Sequence, residues 1–147
     1  MVRRLDGHKF EKEFSNTFEG DGYLLRLHTM NTGFSGLTQP ADFILFRKLI
    51  SFIETKETTK DFFSIANMEQ LDEMKKFVEA RKKNIAYRGL NASEYFVIVH
   101  FINRGVIQVI TAEYALSLLV CHKTLKYNDP AGWAFTSLTQ LKENLIL

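Results

Sequence analysis

Apolar positions recur along this chain with periods that name its elements. Phe10, Phe14, Thr17 and Phe18 fall at helical spacing and predict a first helix over residues 8–19, ended by Gly20-Asp21-Gly22. Tyr23 to His28 alternates as a strand, and the Thr-, Gly-, Ser- and Asn-containing stretch Thr29 to Ala41 reads as a mobile loop freed by Gly33 and Gly36. Phe43 to Phe46 and Leu49 to Ile53 are apolar runs of strand character, and the tight Arg47-Lys48 connection between them suits antiparallel neighbours. After a polar segment, Asn67 is placed to cap a second helix running to about Lys82, with Met68, Leu71, Met74, Phe77 and Val78 as its stripe. Tyr95 to Ile102 and Val106 to Ile110 flank Asn103-Arg104-Gly105 and predict a hairpin, after which Thr111 caps a helix to about His122. The pattern predicts an α/β fold, a mixed central sheet of about five strands flanked by helices, as one domain over residues 1–147. Its core spans about 7–122; residues 123–147, with Trp133, Phe135 and the Leu138 to Leu145 periodicity, read as an appendage that closes the core or meets a second subunit.

Composition narrows this picture. With 147 residues, 46% hydrophobic and 24% charged, there is one real core and little room for a second. The formal charge of +2 means that any nucleic-acid binding comes from a local patch. A single cysteine, Cys121, excludes an internal disulfide and, lying in an apolar run, reads as a buried inert thiol compatible with a reducing cytoplasm. The longest apolar stretch, Tyr95 to Ile102, is too short to cross a bilayer, and Val2-Arg3-Arg4 leads into Asp6 and Lys9 instead of the apolar run of a secretory signal.

Candidate chemistry gathers around the paired strand runs. If they are antiparallel, Asp42 starts one where Glu54 ends the other, so both carboxylates reach the same sheet edge and can share a metal. The period of two places Glu54 and Lys56 on one face with Phe52, and Ile53 and Thr55 on the other. A hard divalent cation takes such oxygen ligands and keeps several waters, and a nearby lysine can orient or deprotonate a water and stabilise charge on a phosphate. Phosphodiester hydrolysis suits that set; the plainer alternative is a turn-capping Asp42 and a solvated Glu54/Lys56 pair ending an edge strand.

On the first helix, at about 100° per residue, Glu11 borders the apolar face beside Phe18 while Glu13 points away. It either leans toward the core edge or is an ordinary first-turn acid. Gln70 shares a face with Met74 and Phe77, reaching solvent or turning toward the Glu54/Lys56 corner. Lys75, Lys76, Arg81, Lys82, Lys83 and Arg88 form a basic cluster, interrupted by Glu79, that solvates the helix or contacts phosphates. His100 and His122 lack metal-ligand spacing and are assigned to structure.

The order helix with Glu11, strand, loop, Asp42, strand with Glu54-Thr55-Lys56, helix with Gln70, strand resembles the PD-(D/E)xK nuclease superfamily, with its restriction-endonuclease-like core. Phe52-Ile53-Glu54-Thr55-Lys56-Glu57-Thr58 followed by Met68-Glu69-Gln70-Leu71-Asp72-Glu73-Met74 resembles the RecU family of Holliday-junction resolvases, and Gly7-His8-Lys9-Phe10-Glu11-Lys12-Glu13 resembles the helix opening of the archaeal resolvase Hjc. The likeness covers roughly residues 7–110. It implies a Mg2+- or Mn2+-dependent endonuclease resolving four-way junctions in DNA recombination and repair, acting as a homodimer in a cytoplasm, with no membrane partner. It further implies Asp42 and Glu54 as metal ligands, Lys56 serving the attacking water, Glu11 as an additional acid acting directly or through water, and Gln70 as a support. Lys60, Ser35 and Thr38 become candidate phosphate contacts, and the C-terminal segment and the Tyr95 to Ile110 hairpin candidate dimer surfaces. Two departures stand out. Pro40 precedes Asp42 by two residues instead of one, and only the Thr29 to Ala41 loop occupies the place of the long RecU protrusion.

Overall fold

The computed structural model describes residues 7–20, 22–27, 39–83 and 93–144. Helix α1 spans Gly7–Phe18, and Phe10, Phe14 and Phe18 are buried because residues four apart share a face. Phe14 stacks on Phe18 at 4.6 Å between centroids and tilts against Phe43 at 5.0 Å, which seats the helix on the sheet. Gly22 (φ 94°) turns the chain into the first strand where a Cβ would lie 2.5 Å from the Phe46 carbonyl oxygen.

Strands β1 (Tyr23–Arg26), β2 (Phe43–Phe46) and β3 (Ile50–Thr58) form an antiparallel meander. The chain then passes through β4 (Phe62–Phe63), a 3-10 turn at Ile65–Asn67 and helix α2 (Leu71–Lys83). It returns as β5 (Ser93–Phe101), parallel to β3 from Ile50↔Ser93 to Thr58↔Phe101. Strand β6 (Val106–Thr111) pairs antiparallel with β5 across a turn in which Gly105 adopts φ 62°. Thr111 accepts the Tyr114 N–H on its hydroxyl at 3.2 Å and so starts α3 (Ala112–Val120), as its sequence position predicts. Strands β7 (Leu125–Lys126) and β8 (Trp133–Phe135) and helix α4 (Leu138–Asn144) follow. The mixed sheet runs β1-β2-β3-β5-β6-β8, and β4 pairs with β7 in a separate ribbon.

Strand alternation sorts the core into two layers. Phe43, Leu45, Ile53, Phe96 and Ile98 meet α1 and α4, while Phe52, Tyr95, Val97 and Val99 meet α2 and α3. Each fully buried side chain of this size contributes about 1.5–3 kcal/mol.

Several expectations change. The sheet has six strands instead of about five because Trp133–Phe135 adds to the edge of β6. Of the two expectations for the C-terminal region, the packing shows the first, closing of the core: Phe135, Leu138 and Leu141 complete the α1 layer, and Lys142 Nζ donates to the Thr17 carbonyl at 2.9 Å. Helix α2 starts at Leu71 and not after Asn67, since Met68 is drawn into the core in an extended conformation (φ −78°, ψ 130°) that no helix can pass through. Cys121 is exposed, because the apolar run outlasts the buried stripe of α3 and leaves Val120 in solvent too. His28 and most of the predicted loop, with Ser35 and Thr38, lie outside the described residues, as does Arg88. Among the described residues no helix is long and apolar enough to cross a membrane.

Candidate active site

Asp42 sits where β2 begins, and its backbone completes the sheet on both sides. Its N–H donates to the Ile53 carbonyl at 3.0 Å and its carbonyl accepts the Leu27 N–H at 2.9 Å. The next acceptor toward β3 is the side chain itself: Oδ2 takes the Thr55 N–H at 2.8 Å and the Thr55 hydroxyl at 2.9 Å. The carboxylate therefore stands in for a strand carbonyl, which fixes one oxygen in the ladder and locks the rotamer. Burial raises the Asp42 pKa against the lowering effect of the Thr55 N–H bond, and the Glu11 charge raises it further.

Glu54 does not end its strand. Because β5 offers a parallel partner all along β3, the polar run Glu54 to Thr58 continues as strand, with Glu54 opposite Val97 and Lys56 opposite Val99. The expected alternation holds: Ile53 belongs to the α1 layer and Phe52 to the α2 layer, so Glu54 and Lys56 share the Phe52 side. Glu54 is 0% exposed. Its Oε1 lies 2.8 Å from Lys56 Nζ, and its Oε2 has no hydrogen-bond partner among the described residues. Burial, with the neighbouring Asp42 charge, pushes the Glu54 pKa up to about 8 despite Lys56. Burial alone would lower the Lys56 pKa, yet the Glu54 charge and hydrogen bond leave it above its ordinary value. An incompletely balanced buried carboxylate costs several kcal/mol, and such perturbed groups mark functional sites.

Glu11 lies on the core-edge side of α1 and accepts from Arg26 at 2.9 Å, whereas Glu13 is exposed. Its charge still raises both Asp42 and Glu54, so three acids share one electrostatic neighbourhood. Gln70 immediately precedes α2 and accepts the Met74 N–H on its main-chain carbonyl at 3.0 Å. Its side chain is 7% exposed with Oε1 unpartnered, while the adjacent Glu69 is near enough to act on Lys56 electrostatically. Among the described residues no three His, Cys, Asp or Glu side chains approach closely enough to hold a metal together. Asp42 and Glu54 offer two carboxylates, with Glu54 Oε2 unused, and that fits a hard cation that retains most of its waters.

Tyr95 escaped the sequence pattern because a tyrosine inside an apolar strand looks like core. It is buried, stacks on Phe52 at 6.2 Å, and donates its hydroxyl to the Pro40 carbonyl, pinning the segment that leads into Asp42. Burial and the charges of Glu54 and Asp42 raise its pKa. Thr55, expected only as a residue of the opposite face, is the other group that fixes Asp42.

The expected basic cluster on α2 is partly neutralised in place. Lys76 pairs with Glu73 at 3.2 Å and Arg81 with Glu94 at 2.6 Å, while Lys75, Lys82 and Lys83 are exposed. Lys60 is exposed beyond the end of β3. His100 tilts against Phe10 at 5.1 Å and His122 follows α3; neither joins the acids. Strands β5 and β6 both have a strand neighbour on each side in the sheet. Compared with models of protein families and with curated protein sequences, the chain matches none.

Proposed function

We propose that this protein is a metal-dependent DNA endonuclease that hydrolyses phosphodiester bonds of branched DNA, with four-way junctions as its preferred substrate. One observation carries the reading: Asp42 and Glu54 are buried on neighbouring strands, with Lys56 2.8 Å from Glu54 and a Glu54 oxygen left unpartnered. The order of helix, three-stranded meander, crossover helix and parallel strand supports the PD-(D/E)xK likeness. The preference for junctions rests on the RecU- and Hjc-like segments.

Asp42 and Glu54 would hold Mg2+ or Mn2+, which supplies polarisation of the phosphodiester and a more acidic bound water. The protein's own contribution is preorganisation. Thr55 fixes Asp42, so that one carboxylate oxygen keeps its place without reorganising when the substrate arrives. Lys56, its side chain 28% exposed, extends from the buried acid toward solvent and as an ammonium orients water and offsets charge gathering on phosphate oxygens. Glu11 adds negative potential that favours cation binding, acting directly or through water. Symmetric cuts on opposed strands call for two related sites, hence a homodimer.

Cleavage of a four-way junction, a linear duplex of the same sequence and single strands, with and without Mg2+, tests this reading. Mg2+-dependent cutting that favours the junction is expected. Equal rates on duplex would make the protein a nuclease of another repair or restriction role, and no cutting in Mg2+ or Mn2+ would defeat the nuclease reading.

A further inference from the structure

The β4–β7 ribbon and the end of α3 form a second surface that the chemistry at Asp42 and Glu54 does not use. The ribbon begins where β3 ends, after a turn in which the Lys60 N–H donates to the Thr58 hydroxyl at 3.1 Å. Its inner residues Phe63 and Leu125 pack into the α2–α3 layer, on the side of the sheet that carries Glu54 and Lys56. Outward it presents Phe62, 45% exposed, with Lys60 Nζ 5.5 Å from the ring centroid and Lys126 as its register partner.

Beside the ribbon opens a cavity of about 720 Å³, lined by His122, Lys123, Thr124, Lys126, Asn128 and Asp129 among others. The Asp129 carboxylate is already occupied, accepting from the Tyr114 hydroxyl at 2.7 Å and the Ala131 N–H at 2.9 Å. Lys123 and Lys126 of the lining, and Lys60 on the turn before the ribbon, have no carboxylate within ion-pair distance among the described residues, unlike Lys76 and Arg81 on α2. The cleft is therefore cationic, with Thr124 and Asn128 adding uncharged donors.

The chain takes on local strain at this place. Helix α3 ends with the Lys123 N–H on the Leu118 carbonyl at 2.8 Å and the His122 N–H on that of Leu119 at 3.1 Å. That closure puts His122 in the left-handed position usually held by glycine, and it is the one non-glycine residue with positive φ (53°) among the described residues. A side chain kept where glycine would be easier, and lining a cationic cleft, is a conflict of the kind that marks function.

We infer that this cleft binds phosphates of a DNA backbone, holding the substrate strand to one side of the cleavage site. The inference rests on the nuclease reading. The spacing suits it: Lys60, two residues before the Phe62 that pairs with Lys126 of the cleft, follows Glu54 along the chain by at most roughly 20 Å at strand rise, less than one B-DNA turn of about 34 Å. The exposed Phe62 face beside Lys60 suits stacking of an unpaired base at a branch.

Anisotropy of a labelled four-way junction and of a duplex, in EDTA over a salt series, tests it with the full chain. The double variant Lys123→Ala/Lys126→Ala, both positions exposed, is compared with Lys82→Ala/Lys83→Ala on α2 and with the wild type. The first pair is expected to weaken binding about tenfold and to flatten the salt slope by about two, and the second to change it less. Circular dichroism confirms that each variant is folded. Wild-type binding left unchanged by Lys123→Ala/Lys126→Ala overturns the cleft alone. A wild type that binds neither DNA overturns the nuclease reading and the cleft with it.

Discussion

The two layers that cover the sheet are built from the same strands and solve different problems. The α1–α4 layer buries Phe10, Phe14, Phe18, Phe43 and Ile53, and Glu11, the acid that α1 brings to its edge, stays partly exposed. The α2–α3 layer also has a large apolar cluster, but one residue along β3 from Ile53 it accepts Glu54 at 0% exposure, with Gln70 and Gln108 buried nearby in the fold. Three of these buried polar side chains keep oxygens without partners: Glu54, Gln70 and Gln108. Apolar clusters on both faces of the sheet offset the cost of holding such groups. The contrast teaches that the cost at Glu54 is borne by a scaffold with an apolar cluster on each face of the same strand.

Exchanging the roles of the layers breaks the comparison most sharply. Asp42→Ala or Glu54→Ala is expected to lower cleavage at least 10³-fold, about 4 kcal/mol in transition-state stabilisation, with junction binding retained; the melting temperature is held or raised in Glu54→Ala and falls in Asp42→Ala, which orphans the buried Thr55 N–H and hydroxyl. Cleavage within tenfold of wild type in either purified variant would remove that residue from the site. On the other face, Phe14→Ala should cost about 3–5 kcal/mol of stability by opening a cavity under α1, measured by urea unfolding, while activity per folded molecule is kept below the unfolding transition. A destabilisation under 1 kcal/mol would show that the α1 layer does not carry the fold.

How much of this was legible depended on whether a signal was local. The period of two placed Glu54 and Lys56 on the Phe52 side, and Asp42 beside them, because alternation needs only the strand's own residues. The full length of β3 was not legible: Thr55 to Thr58 is polar, and only the parallel pairing with β5, far along the chain, holds it as strand. The same holds for Trp133–Phe135, whose place at the sheet edge is set by β6. Tyr95 was hidden for the opposite reason, since its apolar setting masked the one hydroxyl that reaches Pro40. Cys121 misled because an apolar neighbourhood in sequence is not burial in space.

Titration sharpens the contrast between the layers. Glu54 has a pKa of about 8 in the folded state against 4.5 ordinarily, so between those values the native protein holds a proton that the unfolded chain has released. Without metal, its contribution to stability is therefore greatest below about 4.5 and is lost as pH rises toward 8. Glu54→Gln, which mimics the protonated carboxyl, should match the wild type near pH 4.5 and exceed it by on the order of 3 kcal/mol at pH 8 in EDTA. Thermal melts across this range, in EDTA and in Mg2+, measure the difference. A gap that does not widen with pH would mean that Glu54 is not the strained group.

The smallest effect tests whether the α2 side of the sheet positions the site or merely packs beside it. Tyr95→Phe keeps the stack on Phe52 and removes only the hydroxyl that holds the Pro40 carbonyl. Loss of one such bond costs about 1 kcal/mol of stability. The segment carrying Asp42 would then be free to shift, so a positioning role predicts a several-fold rise in the Mg2+ concentration needed for half-maximal cleavage, with KM for DNA unchanged. A Tyr95→Phe protein with the wild-type Mg2+ requirement and only the stability loss would assign Tyr95 to packing. Asp42 would then be held by Thr55 and the β2 backbone alone, and the pre-organisation of the site would reside entirely within the strand pair.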